Sequence, residues 1–220
     1  MFIGHFGVGF ASKKIENKIS LGTLFLAAQL IDLLWPVFIL IGLEKVKIEP
    51  GISQVTPLNF VSYPYTHSLF GVVIWGILFT GIYFLIKKNL KASLLLAGLV
   101  LSHWILDFLT HIPDLQIFPW SETRVGLGLW NSMPLTILIE GLIFCVGIYF
   151  YFKNTSASNK KGNYTFIGLI IFLSIIYVMN IFGSAPPSET AIGYAGLLQW
   201  LIVAWGYWID RNRMSNIKPT

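Results

Sequence analysis

Ser102-His103-Trp104-Ile105-Leu106-Asp107-Phe108-Leu109-Thr110-His111-Ile112-Pro113-Asp114 closes a long apolar run, where charge is expensive. It nevertheless carries two histidines and two aspartates at i, i+4, i+8 and i+11. On a helix turning about 100° per residue these four share one face. That spacing suits metal ligands or a proton relay, and it does not suit a lipid-facing stripe or an ordinary apolar core.

The rest of the chain says which solvent that face sits in. Of 220 residues, 55% are hydrophobic and 11% charged, against about 25% charged in a soluble domain. A membrane protein follows. The lone Cys145 excludes a disulfide framework and a thiolate metal site. Eight Trp residues fit interfacial belts. No cleavable signal peptide is expected, because the lysines follow the apolar stretch Met1 to Ala11 instead of preceding it.

Apolar runs near 20–43, 67–86, 92–112, 133–152, 164–183 and 191–209 are each long enough to cross a bilayer. The expected fold is all-α, a polytopic membrane protein of six transmembrane helices. Residues 1–11 are too short to span and are expected to enter as a re-entrant half-helix packed within protein. The chain reads as one integral membrane domain, 1–220, with a motif-bearing half (1–115) and supporting helices (116–220). The segments 12–19, 87–91, 153–163 and 210–220 hold 12 of the 15 Lys and Arg residues. Six spans put all four on one side, so the positive-inside rule places the C-terminus in the cytoplasm of an inner membrane. The net charge of +5 is then topological, and no nucleic-acid partner is needed.

Asp32, Asp107 and Glu140 lie well inside these spans, with no Lys or Arg at similar depth. An ionised carboxylate at the bilayer centre costs about 2.5–3.5 kcal/mol on insertion scales. Protonation, a water-filled cavity or a bound cation must offset that, and carboxylate with imidazole suits zinc. All four histidines, His5, His67, His103 and His111, lie in or beside membrane segments. One such histidine is more simply a packing residue; four beside buried acids favour a site. Helical rise puts Asp32, His103 and Asp107 at similar heights, while His5 and His67 need re-entrant geometry or tilt to join them. Thr66 is a candidate helix cap beside His67. Asn180 reads as an interhelical hydrogen-bonding residue. Glu140 reads either as a ligand or base, or as a neutral carboxyl.

The order Gly4-His5, Asp32, Tyr65-Thr66-His67-Ser68, then Ser102-His103 with Asp107 and Thr110 resembles the inner-membrane family of membrane-bound metal-dependent hydrolases (YdjM-like). Through it the chain looks distantly similar to zinc-dependent phospholipase C and single-strand nucleases. The resemblance covers residues 1–115. Asp32 stands alone where the family commonly has a paired Asp-x-Asp-His, and Tyr63-Pro64-Tyr65 replaces its Arg-Gly. The resemblance implies a zinc-dependent hydrolase acting on a phosphoester or ester of a lipid-like substrate. His5, Asp32, His67, His103 and Asp107 would hold one or two divalent ions. His111 and Asp114 would orient the ligands or shuttle protons. The alternative is an ion- or proton-coupled transporter using the same residues. Against it, no inverted repeat is visible. A haem-binding carrier would leave the buried acids unexplained.

Overall fold

The structure, a computed structural model, describes residues 1–216; Lys218 of the basic tail lies outside the described residues. The chain opens with α1 (Ile3–Ser12). Next come α2 (Leu21–Ala28) and α3 (Leu30–Leu40), two pieces of one apolar run bent by 56°. β1 (Lys45–Ile48) and β2 (Leu58–Ser62) form an antiparallel hairpin. α4 (Leu69–Lys87) and α5 (Leu90–Thr110) follow as a helical hairpin. β3 (Leu115–Gln116) and β4 (Arg124–Val125) form a second small ribbon. α6 (Met133–Asn154), β5 (Thr155–Ala157), α7 (Lys160–Phe182), α8 (Glu189–Leu197), α9 (Gln199–Asp210) and β6 (Arg213–Ser215) complete the described chain, with β5 pairing β6.

Five helices are long and apolar enough to cross a membrane, α8 and α9 counting as one, and the bent α2–α3 pair makes a sixth. The expected all-helical membrane architecture stands, with two corrections. The first span is broken, and three two-stranded ribbons join the helices of a fold expected to be all-α. The outward faces are apolar, with Ile77, Ile86, Leu138 and Leu201 all exposed, as lipid contact requires.

Local chemistry sets the helix ends. The side chain of Ser68, not Thr66, caps α4 by accepting from Gly71 N. Lys88 ends α4 in the left-handed region at φ 51°, and Asn89 caps α5 by accepting from Ala92 N. Ser132 precedes α6 with Pro134 in the first turn but makes no side-chain cap bond. α5 stops at Thr110. His111 is extended (φ −63°, ψ 146°), and Pro113 disfavours helix at Ile112. His111 and Asp114 therefore do not continue the helical face that their spacing implied.

α1 is the buried axis of the molecule. Phe6 and Phe10 have no exposure, and Phe25, Phe144, Tyr151 and Phe166 surround the Phe10 ring. A Cβ on Gly147 of α6 would lie 2.1 Å from the carbonyl oxygen of Gly7, so the two backbones are in direct contact. Only glycine permits that approach.

The basic segments gather at one end. Lys13, only 5% exposed, pairs with Asp210, which also accepts from Leu21 N and from the Tyr151 hydroxyl. Lys91 reaches Glu16 at 3.6 Å, and Arg213 of β6 donates to Thr155 of β5. The β1–β2 tip lies at the other end, where Gln54 N donates to Trp130 O and Gln54 Oε1 accepts from Met133 N.

Candidate metal centre

All five residues that the sequence offered as ligands converge. His5 comes from α1, Asp32 from the first turn of α3, His67 from the residue before the α4 cap, and His103 and Asp107 from α5. They form two overlapping groups, His5–His103–Asp107 and Asp32–His67–His103. Within each group one ligand atom per residue lies within 4.8 Å of the others. His103 Nε2 is 3.1 Å from Asp107 Oδ2 and 3.6 Å from Asp32 Oδ1. His67 Nε2 is 3.4 Å from Asp32 Oδ1 and 3.9 Å from Asp107 Oδ2. His5 Nε2 is 3.1 Å from Asp107 Oδ1, and the His5 and His103 rings stack 3.8 Å apart. His5 and His67 join the others by two routes. His5 rides on α1, whose residues are largely buried against the other helices. The Tyr63–His67 turn, closed by His67 N donating to Tyr63 O, carries His67 inward.

The bend between α2 and α3 orients His103. The carbonyl of Ala28, at the break, takes a hydrogen bond from His103 Nδ1 at 2.8 Å. A carbonyl only accepts, so Nδ1 carries the hydrogen and Nε2 faces the carboxylates. Nε2 is buried yet aligned for a hydrogen bond to neither Asp107 nor Asp32. In a neutral imidazole the Nε2 lone pair would face carboxylate oxygens, and a cation between them would remove that repulsion. The oxygen and nitrogen donors could thus hold a metal ion.

Partners that composition did not reveal stand behind these residues. Glu44, 1% exposed, accepts from Tyr65 N, Thr66 N and the Thr66 hydroxyl, and Thr66 Oγ1 lies 2.8 Å from His67 Nδ1. Burial pushes the Glu44 pKa up, opposed by His67 and by the Thr66 hydrogen bonds. In sequence only the adjacency of Thr66 to His67 hints at this chain; Glu44 carries no signal. The Met1 amino group lies 2.7 Å from Asp107 Oδ1, and Phe2 N donates to Glu140 Oε2 at 3.0 Å. Counting Lys and Arg side chains overlooked this main-chain amine as a positive group at depth.

His111 and Asp114 meet by another route than the expected helix face. His111 Nδ1 is 2.9 Å from Asp114 Oδ1, to which the Tyr63 hydroxyl also donates. Burial and the adjacent Asp114 carboxylate hold the Tyr63 hydroxyl well above its ordinary pKa, so it stays a donor. His111 Nε2 faces Asp107 Oδ1 at 4.0 Å, with the Phe60 and Trp130 rings packed on the imidazole.

A cavity of about 490 Å³ opens over the cluster. Asp32, His67, Asp107, His111 and Glu140 line its floor; Trp35, Phe60, Trp130, Tyr177 and the β1–β2 tip form its walls. Among the described residues no Lys or Arg lines it. Asn180 is at its wall and exposed, and among the described residues it makes no interhelical bond of the kind expected from the sequence. The segment 116–220 thus supplies cavity residues as well as supporting helices.

A family model described as "YdjM inner membrane protein" matches residues 10–185. The chain belongs to the YdjM inner membrane protein family. The YdjM match runs well past residue 115, where the motif resemblance stops, and it starts after Gly4-His5. Asp32, His67, His103, Asp107, His111, Asp114 and Glu140 fall within the YdjM-matched stretch, and His5 precedes it. YdjM membership and the apolar helices make this a multi-pass membrane protein. No curated protein and no solved structure matches the chain.

Proposed function

We propose that the protein is a membrane-embedded hydrolase that uses a divalent metal, zinc by its donor set, to cleave a phosphoester or ester of a lipid-like substrate. His5, Asp32, His67, His103 and Asp107 would hold one or two ions. The orientation of His103 carries the reading: its Nδ1 is committed to Ala28 and its Nε2 is turned, unpartnered, between two carboxylates. A bound ion there supplies Lewis acidity and stabilises negative charge developing on the ester oxygen.

The chain's own residues supply the remaining tasks. Asp114 fixes the hydrogen on His111 Nδ1, which leaves Nε2 at the cavity floor to take a proton from a nucleophile and return it to a leaving group. Glu140, beside Phe2 N, is a second carboxylate at that floor for orientation or proton transfer. The aromatic and apolar walls exclude water and accept acyl or aryl groups. Convergence on one point beneath a cavity supports a bound ion over the transport path weighed from the sequence. Placing the basic end in the cytoplasm puts the C-terminus there and opens the cavity to the opposite side.

The test is metal content of the purified, detergent-solubilised protein, followed by hydrolysis of a fluorogenic short-chain ester and a fluorogenic phosphodiester. Stoichiometric zinc, lost in His103→Ala and Asp107→Ala while membrane insertion persists, is the expected result. Wild-type protein without stoichiometric metal after zinc loading overturns the reading.

A further inference from the structure

Behind His67 runs a chain of hydrogen bonds that ends on a buried acid outside the ligand set. Glu44 follows α3, where its own backbone N–H is held by Phe38 O. Its Oε1 accepts from the main-chain N–H groups of Tyr65 and Thr66, each at 2.8 Å, so that oxygen bears no hydrogen. Its Oε2 accepts from the Thr66 hydroxyl at 2.7 Å. Thr66 has one hydroxyl hydrogen and spends it on Glu44, so Oγ1 meets His67 Nδ1 only as an acceptor. Nδ1 therefore carries the hydrogen, and in the neutral imidazole Nε2 presents a lone pair toward Asp32 and Asp107.

We propose that Glu44 and Thr66 are positioning residues that fix the tautomer and ring orientation of His67, holding its Nε2 ready for a metal ion. Thr66 touches the cluster only through His67 Nδ1 and Glu44 only through Thr66, and both are fully enclosed, Glu44 at 1% and Thr66 at 0% exposure. The arrangement differs from that at His103, where a main-chain carbonyl does the same work. At His67 the acceptor is a hydroxyl, which donates or accepts as its neighbour dictates. The direction of the chain is thus set by the carboxylate, and changing that one group reverses it. Glu44→Gln keeps an oxygen for the two main-chain donors and turns an amide N–H toward Thr66 Oγ1. Thr66 then donates to Nδ1, and the hydrogen of His67 moves to Nε2, where it opposes a cation.

The role rests on the metal reading above, and one experiment separates the two. Zinc affinity of the detergent-solubilised protein is measured by chelator competition for wild type, Glu44→Gln, Thr66→Val and Thr66→Ser. The ¹⁵N signals of the His67 imidazole in metal-free wild type and Glu44→Gln report the tautomer directly. The expected outcome is a loss of about ten- to a hundredfold in affinity for Glu44→Gln and Thr66→Val. Thr66→Ser retains the wild-type value. The wild-type signals show hydrogen on Nδ1, and those of Glu44→Gln show it on Nε2. Wild-type zinc affinity in both Glu44→Gln and Thr66→Val, or hydrogen on Nε2 in metal-free wild type, overturns the proposal. A wild type that binds no zinc instead overturns the functional reading, while the tautomer signals still decide whether the chain runs as described. Should Thr66→Val fail to fold, Glu44→Gln against Thr66→Ser carries the same comparison.

Discussion

Two clusters of buried polar groups sit at opposite ends of α1, and they differ in how their bonds are used up. At the basic end, Asp210 takes Lys13, Leu21 N and the Tyr151 hydroxyl, and Arg213 is bound by Thr155, Gly162 O and Asn163. Each charge there has fixed partners. At the other end, His103 Nε2 and His5 Nδ1 are buried without an aligned partner, and carboxylates press together around His103. A saturated cluster locks helices to one another, whereas an unsaturated one keeps capacity for something else. Protein interiors leave few buried polar atoms unpaired, and those left are informative.

Breaking the saturated end has the largest predicted effect on stability. Asp210→Ala leaves Lys13 buried and unpaired, which costs about 3–5 kcal/mol. Thermal unfolding in detergent should show a large fall in midpoint, with zinc stoichiometry of the remaining folded fraction unchanged. The same change that removed zinc without unfolding would reverse the assignment of roles to the two ends.

Asp107→Asn attacks the unsaturated end, and its effect divides differently. Zinc binding should fall by more than the ten- to hundredfold typical of residues behind a ligand, measured by chelator competition. Stripping metal from the wild type should lower its unfolding midpoint by the binding linkage alone, about 2.7 kcal/mol where free zinc stood at a hundred times its dissociation constant. A midpoint insensitive to chelator would remove the distinction between the ends.

Smaller effects refine the contrast. Ser68→Ala loses the cap of α4 one residue from His67 and should cost about 1 kcal/mol, read as a modest midpoint shift. Lys91→Ala, at the basic end, removes an ion pair whose lysine is 67% exposed. Its effect should be under about 1 kcal/mol and shrink further in high salt. A large effect there would show that the basic end depends on its surface charge and not on its buried core.

Much of this was legible from residue type alone. The apolar runs set the helices, the misfit of Asp32, Asp107 and the histidines with a bilayer pointed to a site, and the family resemblance narrowed it to the five clustered residues. What escaped was mostly main chain. The bend at Gln29 has no proline or glycine to announce it, whereas Pro36, of the residue type that most often breaks a helix, sits inside α3. The Ala28 carbonyl freed there and the Met1 amine beside Asp107 have no side-chain signature. Glu44 escaped because its partner lies 22 residues away across a hairpin that fixes no register in sequence. His111 and Asp114 were found by a spacing that does not apply, since α5 ends before them, yet a turn reunites them.

The contact between Gly7 and Gly147 also sets an order of assembly. His5 rides on a helix too short to hold itself across a bilayer, and its slot is walled by α6. Residues 133–154 are made long after residues 3–12, so during synthesis the first helix waits without its seat. The seat of His5 is complete only with the later helix in place, although His5 is the first of the cluster's histidines to be translated.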